Sequence, residues 1–339
     1  MPKYYNPDLA ELKARGFSGE SFTRVLRRGQ LAADAALVTS PNMGVPGELL
    51  TFFDPEVVDI LTAPLRAREI TGGKVAIKGD ATTATALFPV MEMTGHTEPY
   101  NDFANGGTAG ANYNWEPRDN YLFSTTRQMG DLEEQRSAEA KIRLAADEQK
   151  AAAHIIDTDM NRFFFLGVAG LRNYGLLNDP SLPASLTPDA TGTGNSPLWA
   201  NKTTEQIYAD ILKLFSGLVT NTRGVVTKDA ELVLAMSPGL AVRLATANSY
   251  GISVMTLLGN YFAKLRVVSA PEYATGSGEL MQMIAVNVQG KDTILLANSE
   301  NFYAFAPVRD VSSIRQKYRA GTYGAIVRRP VAMLGMLGM

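Results

Sequence analysis

The spacing of apolar residues changes several times along the chain, and each change marks an element. Phe22, Val25, Leu26 and Leu31 recur at helical intervals between Ser21 and Ala36, behind a first piece opened by Pro7-Asp8 and interrupted at Gly16 and Gly19. Thr39 to Gly47 is a loop, and Asp54-Pro55 then opens a short helix through Val57, Val58 and Leu61, with Pro64 near its end. Residues 1–66 carry apolar faces but no self-contained core, so they form an arm that needs a partner. From residue 67 to 130 the period shifts to two. Val75 and Ile77 alternate with Lys74, Ala76 and Lys78, while Tyr113 and Trp115 alternate with Asn112, Asn114 and Glu116. Asn105-Gly106-Gly107 and Gly110 lie between them, which suits an extended β excursion better than a compact sheet.

The next stretch, Asp131 to Leu166, has neither Gly nor Pro and opens with a capping-box-like Asp131-x-x-Glu134. Ile142, Ala145, Ala146, Ala152, Ala153, Ile155, Ile156, Met160 and Phe163 then gather mostly three or four apart, predicting one helix ~50 Å long. Its charged first half is either a solvated face or a surface that meets another chain. Gly170 to Leu198 is rich in Pro and Gly and holds little regular structure. Thr203-x-x-Gln206 caps a helix with Ile207, Ile211, Leu214, Phe215 and Leu218 on one face. Strands follow at Glu231–Met236, Leu265–Ala270, Leu280–Val288 and Thr293–Ala297, and Ser237-Pro238 starts another helix. Residues 200–300 thus predict an α+β domain with its own sheet, and residues 301–339 return to strands.

Composition narrows the chemistry. A chain of 339 residues has room for about two domains. Its 32 basic and 34 acidic residues leave a formal charge of -2, which argues against a binder that neutralises phosphates along a basic stripe. With no Cys, disulfides, thiolate metal sites and Cys nucleophiles are out. His96 and His154 have no ligand-spaced partners, so neither a metal nor a cofactor is expected. Gly16-Phe17-Ser18-Gly19 falls short of a nucleophile elbow, and Gly73-Lys74 lacks both the following Ser or Thr and the first glycine of a phosphate loop. No apolar run reaches the ~18 residues of a membrane span, and none near the N-terminus has signal-peptide length. These absences point to a protein that is not an enzyme. A soluble enzyme with a site assembled from scattered residues is the alternative of another class.

The ordered elements resemble the tailed-bacteriophage major capsid protein, an α+β fold called the Johnson fold that bacterial encapsulins share. Two passages carry the likeness: GLRNYGLLNDPSLPAS at 170–185, directly after the long helix, and AGTYGAIVRRPVAMLGML at 320–337. The resemblance implies an N-terminal arm (1–66), an E-loop (67–130), a P-domain with its spine helix (131–199), an A-domain (200–300), and C-terminal strands completing the P-domain (301–339).

It further implies a homo-oligomer of hexamers and pentamers forming an icosahedral viral head around double-stranded DNA, which the subunits contact weakly and non-specifically, assembled in the host cytoplasm. Scaffolding (a separate protein or a cleaved segment), portal and decoration proteins are the implied partners, and no membrane is. The same-fold alternative is an encapsulin-type nanocompartment. Candidate contacts between subunits are Tyr113, Trp115, Arg136, Glu139, Arg143, Arg328 and Arg329; Arg136, Glu139 and Arg143 either pair across subunits or are solvated, and Arg328 and Arg329 either pair with carboxylates of the arm or face the lumen. Tyr113 and Trp115 either anchor the excursion on a neighbour or cover the subunit's own helix. Arg24, Arg27 and Arg28 either face packaged DNA or form a solvated helix face. Lys74 and Lys78 fall in the region where some coats of this fold crosslink through a lysine, but no crosslinking pattern matches, and none is expected.

Overall fold

The computed structural model describes residues 63–339 other than 101, 103–105 and 141–142. The expected arm helices, with Arg24, Arg27 and Arg28, lie outside the described residues. In chain order the elements are α1 (Ala67–Ile70), β1 (Val75–Ile77), β2 (Thr85–Gly95), β3 (Ala109–Asp119), β4 (Tyr121–Gly130), α2 (Asp131–Glu139) and α3 (Leu144–Leu166). After a long irregular passage come α4 (Thr204–Asn221), β5 (Leu232–Met236), α5 (Pro238–Arg243), α6 (Val254–Tyr261), β6 (Leu265–Ser269) and β7 (Gly278–Ala285). The chain closes with β8 (Ile294–Ala304), β9 (Ser313–Val327) and β10 (Met333–Leu337).

Two larger sheets organise these elements. In the first, β1 runs parallel to β8, β8 is antiparallel to β9, and β9 also pairs with β4 from Ser313↔Gly130 to Thr322↔Tyr121. The second has the order β10-β7-β5-β6, with β5 and β6 parallel. Strand β5 is buried on both faces, and its alternation divides two cores. Leu232, Leu234 and Met236 join α4 through Ile207, Ile211, Leu214 and Leu218. Val233 and Ala235 join α3 and the first sheet through Ile156, Met160, Phe164, Leu296 and Tyr318.

Local signals account for much of this. The Thr203–Gln206 capping box forms in both directions at the start of α4. Ser237 caps α5 ahead of Pro238, accepting from the Leu240 amide at 3.3 Å.

Other expectations are corrected. The single helix expected over Asp131–Leu166 is two, because α2 buries no residue and has no apolar stripe holding it in register with α3. The core-facing repeat begins only within α3, at Ala152, Ile156, Met160 and Phe164. Asp131 is not a cap: Gly130 holds that position, and the Asp131 carboxylate turns to Arg309, 3.6 Å away. Within the 67–130 stretch expected as an excursion, only β2 and β3 leave the body of the chain. Strands β1 and β4 belong to the first sheet, because their apolar residues find partners there. Strand β8 also belongs to the first sheet, although it starts inside the stretch expected as the A-domain. Strand β10 pairs with β7 in the second sheet.

Candidate interaction surface

Strands β2 and β3 form a hairpin of eleven facing pairs, from Thr85↔Asp119 to Gly95↔Ala109, that joins no other sheet among the described residues. Residues directly opposite in an antiparallel pair point to the same side. One side therefore carries Leu87, Pro89, Met91 and Met93 against Pro117, Trp115, Tyr113 and Ala111, without one polar side chain among them. The other side carries Ala86, Phe88, Val90, Glu92 and Thr94 against Arg118, Glu116, Asn114, Asn112 and Gly110. At the root this second side turns inward, where Ala86 and Phe88 pack on Tyr323, Leu295 and Ile326.

The apolar side is open. Leu87 is 58% exposed, Met93 81%, Tyr113 62% and Trp115 55%, values that belong to a surface and not to a core. Five large apolar side chains (these four and Met91) would gain about 1.5–3 kcal/mol each from burial, or roughly 10 kcal/mol gross before the costs of association. The hairpin's edges are blunted by chemistry. Successive facing pairs alternate between bonded and non-bonded, and the amide of His96 donates to Thr108 O at 3.1 Å, which places the even-numbered pairs in the bonded set. Pro89 and Pro117 thus fall where an N–H would point outward, so neither costs a ladder bond, and each removes a donor from a free edge.

A polar clamp fixes the root. Arg118 and Asp179, both almost fully buried, pair at 2.7 Å, and the Arg118 guanidinium lies 4.7 Å from the Tyr174 ring centre. Arg172 binds both oxygens of Asp119 at 2.9 and 3.1 Å, holding that carboxyl below its usual pKa. Asn173 is buried and donates to the carbonyls of Asp119 and Thr322. The Gly170–Ser185 passage, readable in sequence only as turns, is this clamp. It also closes α3: the amides of Leu176 and Leu177 donate to Phe164 O and Phe165 O, and Asn178 reaches Leu166 O at 2.5 Å. Gly167 ends the helix at φ 62, where a Cβ would stand 2.2 Å from Asn173 O.

Tyr113 and Trp115 therefore share the open apolar side with Leu87, Met91 and Met93, which sequence reasoning missed because the register that aligns the two strands was not visible. Arg136, Glu139 and Arg143 are exposed around the α2–α3 break and make no ion pair among the described residues. Arg328 is exposed, while Arg329 donates to Val288 O at 2.6 Å. Lys74 pairs with Asp292 at 2.8 Å and Lys78 follows β1, so neither stands on the hairpin, whose strands contain no lysine. Among the described residues no three His, Asp or Glu gather as metal ligands, and no helix is long and apolar enough to cross a membrane. His154 is exposed on α3, and His96 pairs with Glu98 at 3.3 Å. Two cavities, of about 170 Å³ beside Leu182 and Met333 and about 120 Å³ beside Arg68 and Asp157, are smaller than the roughly 300–1,000 Å³ of small-molecule sites. The surface suits contact.

Among known families, that of the Pa193 gp26 major capsid protein matches residues 36–338. The capsid of Myoviridae phage XM1 superposes with a TM-score of 0.71 at 14% identity, covering 88% of this chain and 100% of that one. The capsid of a native GTA particle gives 0.56 at 10% identity over 91% and 97% of the two chains. Gordonia phage Cozz gives 0.55 at 10% over 89% and 98%. At these identities the likeness is one of fold. No curated protein matches the sequence.

Proposed function

The chain belongs to the Pa193 gp26 major capsid protein family and is a structural subunit of a bacteriophage head; from that premise we propose that the hairpin's apolar side is its principal bond to a neighbouring copy. The observation that carries this is the facing set Leu87, Pro89, Met91 and Met93 with Ala111, Tyr113, Trp115 and Pro117, hydrophobic side chains left open by every element among the described residues. A patch of this kind marks an interaction site on a soluble protein. In a closed shell every subunit offers the same hairpin and the same receiving surface, so one modest contact is repeated over the whole lattice. Copies packed as hexamers and pentamers around double-stranded DNA are the arrangement this supports, assembled in the host cytoplasm, with scaffolding, portal and decoration proteins as further partners. The Arg118–Asp179 clamp sets the angle at which the hairpin leaves the subunit. The role is structural, and an encapsulin shell is not the favoured reading, since the matching family is a phage coat.

The test is the double variant Met91→Asp/Trp115→Asp. Wild-type chain, alone or co-expressed with its scaffolding partner, should sediment as shells or capsomers. The variant should remain a soluble subunit whose thermal midpoint lies within ~2 °C of wild type. Shells of normal size from the variant would refute the assignment of the hairpin.

A further inference from the structure

Among the described residues, five cations without a carboxylate partner gather at one place in the fold. Strands of both sheets begin or end together at one place: β1, β5, β6 and β8 start there, and β7 and β9 finish there. Contacts tie these ends to one another. Arg266 donates to Glu69 O at 2.7 Å, Leu232 N to Lys264 O at 3.0 Å, Thr293 N to Val286 O at 3.0 Å, and Arg328 N to Thr293 O at 2.8 Å. The rim they make carries Lys264, Arg266, Lys291 and Arg328, all exposed, with Arg329 beside them. None of the five is paired with a carboxylate among the described residues.

Elsewhere Arg172, Arg309 and Arg315 are matched by Asp119, Asp131 and Asp310, and the exposed arginines unmatched among the described residues, Arg136, Arg143, Arg162, Arg223 and Arg243, are drawn from other elements and do not share this rim. The carboxylates near the rim offset little of its charge. Asp292 is taken by Lys74 and Glu69 by Arg66, leaving Asp229 and Glu231, which lie beside a further cation, Lys228.

We infer that this rim is a sequence-independent contact for nucleic acid on the inner side of the shell, an inference that rests on the shell reading above. Strand order sets its width: Lys264 and Arg266 lie on or next to β6, one edge of the second sheet, and Arg328 and Arg329 lead into β10, the other edge. Three inter-strand steps of ~4.8 Å span ~14 Å, over which a duplex presents about eight phosphates. Side chains without carboxylate partners, drawn from three separate segments, match a diffuse polyanion better than a defined protein epitope. The competing occupant is the acidic face of a second copy, Asp131, Glu133, Glu134 and Glu139 on α2. That face carries its own Arg136 and already holds Arg309 at 3.6 Å. A formal charge of -2 for the chain does not exclude the contact, because the positive charge is local.

The experiment uses full-length unassembled subunit, a labelled 30-base-pair duplex and its scrambled counterpart, with anisotropy read from 50 to 200 mM NaCl. The triple variant K264Q/K291Q/R328Q removes three charges whose side chains make no hydrogen bond, so the fold is not at stake. Both duplexes should bind wild type equally. The slope of log affinity on log salt should flatten by about 2.7 in the variant, so the roughly 40-fold loss these three charges contribute over that range disappears. Lys78→Gln/Lys317→Gln, away from the rim, should leave the slope unchanged. An unchanged slope in the triple variant overturns the inference, and so does lost assembly with DNA binding intact, which would assign the rim to a neighbouring copy. Wild-type chain that assembles but binds no duplex refutes the rim alone; chain that never assembles refutes the shell.

Discussion

The hairpin and the second sheet are built from the same material and meet opposite fates. In both, strands of five or more residues alternate through Leu, Met and Val. In β5 each side of the alternation finds a core, Leu232, Leu234 and Met236 on one side and Val233 and Ala235 on the other, all five at 0% exposure. In β2 and β3 only the root finds one, and the apolar side beyond it stays open. Alternation thus tells which residues share a face. It does not tell what covers the face, and here no element among the described residues does.

The largest expected effect lies where the two regions join. Asp179→Ala leaves the buried Arg118 with only the partly exposed Glu116 carboxylate, 3.7 Å away, and should cost about 3 kcal/mol in urea unfolding. Replacing the pair together with Arg118→Met/Asp179→Leu should cost much less, because no charge is then stranded. If the double variant is as unstable as the single one, the clamp acts through packing and not through charge.

Truncation gives a sharper contrast. Leu214→Ala opens a cavity in the core under α4 and should lose about 2–5 kcal/mol. Tyr113→Ala removes a larger side chain from the open side, yet should change unfolding by less than about 0.5 kcal/mol. Its effect should appear in the assembly yield instead. Equal losses of stability in the two variants would erase the distinction between a filled face and one awaiting a neighbour.

Much of the second sheet and α4 was legible because local signals and burial agree there. The Thr203–Gln206 box, the Ser237-Pro238 start and the β5 run all form where the spacing puts them. The hairpin was legible only at Tyr113 and Trp115. Its other strand carries Pro89 and Glu92 within an exposed run, and nothing local pairs Met91 with Tyr113 or Pro89 with Trp115. The clamp was hidden for a related reason. Arg118, Asp119, Arg172, Asn173 and Asp179 come from two distant stretches, and polar residues in a turn look alike whether they are solvated or holding a strand end. The α2–α3 break was missed because helical propensity continued through a region that no core holds in place.

The smallest effect tests whether the hairpin root is held by charge at its outer layer as well. Arg172 binds Asp119 through two nitrogens and an amide, and this lowers the Asp119 pKa in the folded chain. A depressed carboxyl contributes stability that is complete above its unfolded value of about 3.9 and is lost as pH falls through the folded value. The stability difference between wild type and Asp119→Asn, measured by urea unfolding, should therefore stay constant from pH 7 to about 5 and shrink toward zero as pH drops below about 4. Added salt should reduce it at neutral pH, since Arg172 is half exposed. Tyr113→Ala, which touches no titrating partner, should show the acid profile of wild type. A difference that grew on acidification would mean that Asp119 is better accommodated protonated, and the root would then be held by the buried Arg118–Asp179 pair alone.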